Sequence, residues 1–250
     1  MRKANFGGIA RCPVCGDLTL IRDVGENLRE TCRCVRCGAG NRHRQMALVI
    51  VEAMRAMSGV PIRALREMKR FENFTIYNTE AEGPVHAELS RMSRYLCSEY
   101  YGDSYKSGDR VNGVMHQDLQ DISFDDGSID MVLSSDVFEH IPLPYRAHEE
   151  VFRVLRNGGR HIFTVPFLQT ECLDDDRAVP DDDGNIVHLK EPMYHGDPIR
   201  SEGALVFKIF GLEMLVRLRE IGFRTRQYRL RNVRYGILGD NAIVFEAVKP

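Results

Sequence analysis

No stretch of the 250 residues approaches the roughly 20 consecutive apolar residues that a membrane-spanning helix needs. The N-terminal segment MRKANFGGIARC also lacks the apolar core of a secretory signal peptide. Neither sign of charge is in large excess, since 34 Lys and Arg stand against 36 Asp and Glu. A hydrophobic fraction of 43% and a charged fraction of 28% argue against a disordered or fibrous class. We therefore expect a globular, cytoplasmic protein without a membrane partner.

The seven cysteines do not divide into disulfide pairs, and five of them lie between Cys12 and Cys37. This distribution favours a metal site in a reducing compartment. Two C-x-x-C-G turns each present two thiolates to one ion, and the glycine after each turn permits the backbone to curl. The predicted metal ligands are Cys12, Cys15, Cys34 and Cys37. Because four thiolates leave no open position, we predict a structural zinc in a ribbon formed by residues 1–40.

A helical pattern follows the ribbon, with Asn41 as its expected N-cap. Its predicted buried face consists of Met46, Val49, Ile50, Ala53, Met54 and Met57. His43 is an alternative zinc ligand, whereas Cys32 lies too close to Cys34 to replace it. The first 44 residues hold nine Lys or Arg and four Asp or Glu, whereas the remainder holds 25 and 32. A basic module therefore precedes an acidic one, which leaves nucleic-acid contact open as an alternative.

From residue 74 onward, short apolar runs alternate with helical patterns, as in a parallel sheet with crossover helices. We predict an α/β fold with a doubly wound, Rossmann-like sheet over residues 73–250, after a linking helical segment at 41–72. The first five predicted strands are Phe74–Asn78, Tyr95–Ser98, Val114–Gln117, Ile129–Ser134 and His161–Val165.

Ligands of such sheets bind beyond the carboxyl ends of the strands, so the residues at these ends are the predicted binding residues. They are Thr79, Glu80, Ala81 and Gly83 after strand 1, Glu99 after strand 2, Asp118 and Leu119 after strand 3, and Ser135 after strand 4. A carboxylate after strand 2, here Glu99, accepts hydrogen bonds from ribose hydroxyls in nucleotide-binding sheets. Asp118 is expected to accept from an adenine amine, while Leu119 supplies an apolar face. Together these residues predict a nucleoside pocket.

Residues 117–142 and 149–166 carry motifs that resemble the type 11 group of class I S-adenosylmethionine-dependent methyltransferases. They read QDLQDISFDDGSIDMVLSSDVFEHIP and EEVFRVLRNGGRHIFTVP. The double C-x-x-C ribbon followed by Asn-Arg-His-Arg is similar to a bacterial zinc-ribbon subgroup. The resemblance implies seven strands, with Phe223–Leu230 and Ala242–Val248 as a final antiparallel pair. It also implies S-adenosylmethionine as the cofactor, held at Glu99 and Asp118.

The loop after the first predicted strand departs from the family, whose loop is usually rich in glycine. This chain has YNTEAEGP, in which only Ala81 and Gly83 are small. Glu80 and Glu82 would then have to face the ammonium group of the cofactor rather than its carboxylate. If they do not, a protein that keeps the fold without methyl transfer is the alternative.

Candidate catalytic residues are Asp136, His140 and His195, because transfer to a hydroxyl or a protonated amine requires a base. Glu139 is a further candidate, with packing or capping as its alternative role. Asp136 has an alternative role as the N-cap of the next helix. The insertion at 167–200 is too long for a simple connection, so it is either a lid or disordered. Its acidic runs favour a small polar acceptor, such as a sugar or a metabolite. An RNA methyltransferase that uses the basic ribbon to bind its substrate remains the other enzymatic reading.

Overall fold

The computed structural model describes residues 8–196, 203–239 and 243–250. The described residues begin with a three-stranded antiparallel sheet. The first cysteine turn joins its first two strands, and the second cysteine turn begins at the end of its third strand. Its strands are β1 (Gly8–Arg11), β2 (Leu18–Arg22) and β3 (Arg33–Cys34). This small sheet is the predicted ribbon, and the boundaries predicted for the ribbon and the linking segment stay a prediction.

Helix α1 (Asn41–Ser58) follows the ribbon and ends at Gly59, which adopts the left-handed conformation that favours glycine. The prediction that Asn41 is the N-cap is wrong, because Gly40 occupies that position. The Asn41 side chain instead donates to the carbonyl of Leu238 and accepts from its backbone N–H. The predicted apolar face is confirmed, with Met57 only partly buried and the other five residues fully buried.

Within the described residues, the main sheet has eight strands. They are β4 (Ile76–Asn78), β5 (Tyr95–Glu99), β6 (Arg110–Val111), β7 (Val114–His116), β8 (Ile129–Ser135), β9 (Leu155–Thr164), β16 (Arg224–Arg229) and β17 (Ile243–Val248). Their order across the sheet is β16-β17-β9-β8-β4-β5-β7-β6. The five strands predicted first are parallel, and β16 and β17 are the antiparallel pair. The sheet exceeds the expected seven strands because β6 folds back on β7. Residue 242, the predicted start of the last strand, lies outside the described residues.

The helices cover both faces of this sheet. They are α1, α2 (Gly83–Leu89), α3 (Pro144–Val154) and α4 (Glu213–Ile221), with 3-10 turns at Leu65–Arg70, Phe138–His140 and Val233–Tyr235. Alternate residues of β8 point to opposite faces: Met131 and Leu133 pack with α1 and the ribbon, and Val132 packs with α3 and α4. The doubly wound α/β arrangement is therefore confirmed. The ribbon shares one apolar core with α1 and the sheet, since Ile21 and Met46 belong to the same buried cluster.

The described part of the insertion forms short antiparallel strand pairs rather than an irregular loop. Its strands are β10 (Asp175–Asp176), β11 (Ala178–Pro180), β12 (Ile186–His188) and β13 (Tyr194–His195). Two strands that follow the insertion, β14 (Ala204–Leu205) and β15 (Lys208–Ile209), pair with β13 and β10. Asp174 anchors the insertion, because its carboxylate accepts from the hydroxyl of Tyr145 and from the N–H of Gly211. Residues 197–200 of the predicted insertion lie outside the described residues. Across the three described ranges, every helix is too short or too polar to cross a bilayer.

Candidate functional site

The two cysteine turns of the ribbon bring four thiols together. In each turn the N–H of the glycine after the second cysteine donates to the carbonyl of the first, at 2.8 Å for both Gly16 and Gly38. Both glycines have a positive φ, of 80° and 75°. The ligand atoms of all four cysteines lie within 4.8 Å of one another.

The sulfur spacing in the ribbon agrees with a tetrahedral zinc–thiolate centre. The Sγ atoms of Cys12 and Cys37 are 3.8 Å apart, and those of Cys15 and Cys34 are 4.0 Å apart. Zinc–sulfur bonds of about 2.3 Å at tetrahedral angles separate the sulfurs by about 3.8 Å. His43, the alternative ligand, does not belong to this group among the described residues, and its Nδ1 accepts the N–H of Gly40 at 3.2 Å. The buried four-cysteine cluster thus has the chemistry of a structural zinc site.

The carboxyl ends of β4 and β5 are joined by a side-chain hydrogen bond. Glu99 Oε1 accepts the backbone N–H of Ala81 at 2.8 Å, which draws the loop after β4 towards the end of β5. The backbone N–H of Thr79 donates to the carbonyl of Leu133 at 3.0 Å, and its buried hydroxyl has no hydrogen-bond partner among the described residues. Gly83 is the first residue of α2 and has a φ of 84°. Thr79, Ala81, Gly83 and Glu99 therefore lie at one edge of the sheet, and their role in binding stays a prediction.

Asp118 and Leu119 follow β7 at the same edge of the sheet. The N–H of Gln117 donates to the carbonyl of Glu99 at 3.2 Å, which fixes the end of β7 beside that of β5. The Asp118 carboxylate accepts the N–H of Gln120 at 2.9 Å, and Leu119 is buried. The contacts of the Asp118 carboxylate in the structure are therefore local to its own turn.

Two arginines from the N-terminal segment reach the end of β8. Arg42 donates to Ser135 Oγ at 3.2 Å and to Asp136 Oδ2 at 2.5 Å, and Arg29 contacts both carboxylate oxygens of Asp136 at 2.5 Å. Burial opposes ionisation of Asp136, but the two guanidinium groups outweigh it and hold the pKa of this carboxyl below its usual value. Asp136 does not cap the following 3-10 turn, whose N-cap is Val137. Its φ of 54° turns the chain away from β8 instead.

Glu80 lies in the same region and has a strongly altered acidity. Burial raises the pKa of Glu80 to about 7, with Arg42 acting against this shift and Glu99 and Asp136 adding to it. The loop after β4 thus carries a carboxyl group that titrates near neutral pH. An acid with a pKa near neutrality at a strand end is typical of functional sites.

The predicted catalytic histidines meet at a third residue, Glu139. The side chain of Glu139 is fully buried, and its Oε1 lies 3.7 Å from His140 Nε2 and 3.6 Å from His195 Nδ1. Strand β13 of the insertion carries His195 to this position, where β13 pairs with β14. Burial raises the pKa of Glu139, and the neighbouring Glu139 raises the pKa of His195.

The arrangement thus gathers most of the predicted site residues and adds two that the sequence did not single out for the site. Glu80, Glu99 and Ser135 lie at the sheet edge beside Asp136, and His140 and His195 lie beyond it. The residues that were not predicted are Arg29 and Arg42. The excess of basic residues in the first 44 positions was the sequence signal for these two arginines. Both of them form ion pairs with Asp136 at this edge of the sheet.

Comparison with known proteins gives partial matches. Residues 86–163 match the model of a family described as a methyltransferase domain. A sarcosine/dimethylglycine N-methyltransferase of Halorhodospira halochloris is 41% identical over 102 residues, which cover 38% of this chain and 37% of that protein. An uncharacterized methyltransferase of Mycobacterium sp. (strain KMS) is 53% identical over 38 residues, 15% of each chain. The chain therefore spans well under half the length of these relatives.

Solved structures of similar shape also include methyltransferases. An S-adenosylmethionine dependent methyltransferase from Mesorhizobium loti is 13% identical, with a TM-score of 0.43, and the match covers 73% of this chain and 94% of that one. A chain of the complex between the Haloferax volcanii Trm112 methyltransferase activator and a methyltransferase is 14% identical, with a TM-score of 0.44 and coverages of 72% and 83%. By sequence, residues 86–163 are similar to a methyltransferase domain, in agreement with the motifs at 117–142 and 149–166.

Proposed function

We propose that this protein transfers a methyl group from S-adenosylmethionine to a small polar acceptor. The observation that carries the proposal is the position of the Glu99 carboxylate at the end of β5. Glu99 lies within the matched residues 86–163, and its carboxylate accepts the backbone N–H of Ala81 in the loop after β4. In sheets of this kind an acid at this place binds the ribose hydroxyls of a nucleoside.

The polar groups of the edge fit such a cofactor although the loop is poor in glycine. The buried hydroxyl of Thr79 has no hydrogen bond to any residue that the structure describes, which leaves it available to a ligand. The cofactor has no pyrophosphate, so a phosphate-binding glycine turn is not required. The half-buried Glu80 carboxyl suits the ammonium group of the methionine moiety, because opposite charge would compensate the cost of its partial burial.

The bound cofactor supplies a methyl group on a positively charged sulfur, and the protein contributes mainly position. We assign the ribose hydroxyls to Glu99, the adenine amine to Asp118 and the apolar face of the adenine to Leu119. The acceptor atom forms its bond to the methyl carbon while the sulfur keeps the electron pair of the broken bond. Because Asp136 is held by two arginines, we place activation of the acceptor at His140 and His195 instead.

The charged side chains around this edge of the sheet favour a small acceptor over an RNA. Arg29 and Arg42 are turned inward to Asp136, so they do not form a basic surface for phosphates. The insertion beside the histidines carries the acidic runs 174–176 and 181–183. The relative from Halorhodospira halochloris is named for two small amines, sarcosine and dimethylglycine. We therefore favour a small metabolite or sugar as the acceptor.

Calorimetry of the zinc-loaded protein with S-adenosylmethionine, and then with S-adenosylhomocysteine, tests this function. We expect micromolar binding of both ligands. Glu99→Gln should weaken binding about 10- to 100-fold, because a hydrogen bond to a charged group contributes about 1.5–3 kcal/mol. Glu72→Gln, at an exposed acid away from this edge, should bind as the unchanged protein does. Absence of binding to the folded protein would instead favour a methyltransferase-like protein without methyl transfer.

A further inference from the structure

Glu139, His140 and His195 form a second group of potential metal ligands, separate from the four cysteines. One ligand atom from each residue lies within 4.8 Å of the others. The distances from Glu139 Oε1 to the two ring nitrogens, 3.7 Å and 3.6 Å, are too long for hydrogen bonds. Ligands about 2.1 Å from one ion lie about 3.0–3.4 Å apart, so the observed distances come within a few tenths of an ångström of that spacing.

The orientation of His140 leaves its other nitrogen available. Its Nδ1 lies 2.8 Å from the carbonyl oxygen of Leu205, which can only accept, so Nδ1 carries the proton. In the neutral ring, Nε2 then presents a lone pair towards Glu139. A histidine that donates one ring N–H to a backbone carbonyl while the other nitrogen binds metal is the usual arrangement at metal centres.

The burial of Glu139 calls for a closer partner than the two histidines provide within the described residues. Its side chain is 0% exposed, and both carboxylate oxygens lack a hydrogen bond within the described residues. An unpaired buried carboxylate is costly, whereas a bound cation removes that cost. The backbone around it is firmly held, since the N–H of Phe207 donates to the Glu139 carbonyl at 2.7 Å.

We propose that Glu139, His140 and His195 hold a divalent transition-metal ion. Two imidazoles and one carboxylate suit Zn²⁺, Fe²⁺, Mn²⁺ or Co²⁺ better than Ca²⁺ or Mg²⁺, which prefer oxygen ligands. Three protein ligands leave positions open, in contrast to the four-cysteine site. The open side is accessible, because the His195 side chain is 38% exposed.

An ion at this place would bind an oxygen or nitrogen atom of the acceptor and lower its pKa. Asp136 directly follows β8 and lies three residues before Glu139. The ion would therefore lie beside the edge of the sheet where we place the cofactor. The metal site stands on its own geometry, whereas this role towards the acceptor rests on the proposed methyl transfer.

Metal content per chain tests the site directly. The protein is loaded with zinc, freed of loosely bound metal by gel filtration, and analysed by plasma mass spectrometry. We expect two ions per chain in the unchanged protein and one in Glu139→Gln and in His195→Ala. His188→Ala removes an exposed histidine of the same insertion and should keep both ions. Cobalt loading separates the sites, because only the cysteine site gives a thiolate-to-cobalt charge-transfer band.

A single ion in the unchanged protein would overturn the metal site, as would a second ion that persists in both Glu139→Gln and His195→Ala. In the first case Glu139 and His195 would form a plain ion pair. If Glu139→Gln fails to fold, the partly exposed His195→Ala decides alone. Cofactor calorimetry on the same samples keeps the two proposals apart: two ions without cofactor binding would reject the proposed function only, and cofactor binding with one ion would reject the metal site only.

Discussion

Arg42 of helix α1 donates to the carboxylate of Asp136 at the end of β8, with 2.5 Å between Nη1 and Oδ2. The two side chains are only 19% and 15% exposed, so this ion pair is largely shielded from water. Arg29 of the ribbon binds the same carboxylate. Asp136 thus joins the ribbon and α1 to the edge of the sheet where we place the cofactor.

Arg42→Met should destabilise the protein, because it leaves Asp136 with one guanidinium and a partly unpaired buried charge. We expect the free energy of unfolding in urea to fall by about 3 kcal/mol, the lower end of the range for breaking a buried pair. Arg63→Met, the same change at an exposed position after α1, should change it by less than about 0.5 kcal/mol. Equal stability of the two variants would contradict a structural role for the ion pair.

Local patterns made the ribbon and the strands predictable. A C-x-x-C-G turn and a short apolar run are determined by neighbouring residues, so the four cysteines and β4, β5, β7 and β8 could be located from sequence. Partners far apart in the chain could not be found in this way. Arg29 and Asp136 are 107 residues apart, and which arginine reaches which acid depends on how the ribbon packs on the sheet.

The N-terminus of α1 shows why a correct residue type can receive the wrong role. Asn41 has the properties of an N-cap, but burial places its amide against the backbone of Leu238, with which it exchanges two hydrogen bonds. Likewise, the meeting of His195 with Glu139 depends on the path of the insertion, for which the sequence contains no periodic signal. Tertiary contacts decided both cases.

The four cysteines are our predicted zinc ligands, and loss of one of them should unfold the ribbon and release Arg29 from Asp136. Cys34→Ser removes a buried thiolate, and we expect the free energy of unfolding to fall by at least about 3 kcal/mol, which lowers the melting temperature by roughly 6–12 °C for a chain of this size. Differential scanning calorimetry with metal analysis measures both effects. Cys172→Ser, at an exposed cysteine outside the cluster, is the matched control and should keep the zinc and the melting temperature. A stable Cys34→Ser protein with its ribbon intact would argue against a structural zinc.

The acidity of Glu80 predicts a pH dependence of cofactor affinity. With the pKa of Glu80 raised to about 7 by burial, the free protein holds this carboxyl protonated at lower pH. An ammonium group beside it favours the ionised form, so binding must release a proton below the pKa. Affinity for S-adenosylmethionine should therefore rise with pH, by up to about tenfold per unit, and level off above about 7.

Calorimetry between about pH 5 and 7 avoids titration of the cofactor amine, whose pKa lies near 7.7–8.0 in model compounds. Repeating the titration in buffers of different ionisation enthalpy counts the released proton. Glu80→Gln, which does not titrate, should give a flat profile, while Glu82→Gln at the neighbouring acid should keep the slope. The same slope in both variants would exclude Glu80 as its source.

Gly211 should prove essential for the attachment of the insertion that carries His195. A Cβ atom at this position would lie 2.2 Å from the carbonyl oxygen of Leu173, so the backbone must shift and the hydrogen bond from Gly211 to Asp174 must break. We expect Gly211→Ala to lower the free energy of unfolding by about 1–3 kcal/mol. Hydrogen exchange measured by mass spectrometry should become faster in peptides that cover residues 168–176.

Gly196→Ala is the matched control, because a Cβ atom there meets nothing within 4 Å. Its exchange should equal that of the unchanged protein. If Gly211→Ala detaches the insertion, the second metal ion should also be lost, since His195 then no longer reaches Glu139, whereas the zinc of the ribbon should remain. Unchanged exchange in Gly211→Ala would mean that residues 168–176 are held by contacts other than Asp174, and that the position of His195 does not depend on this anchor.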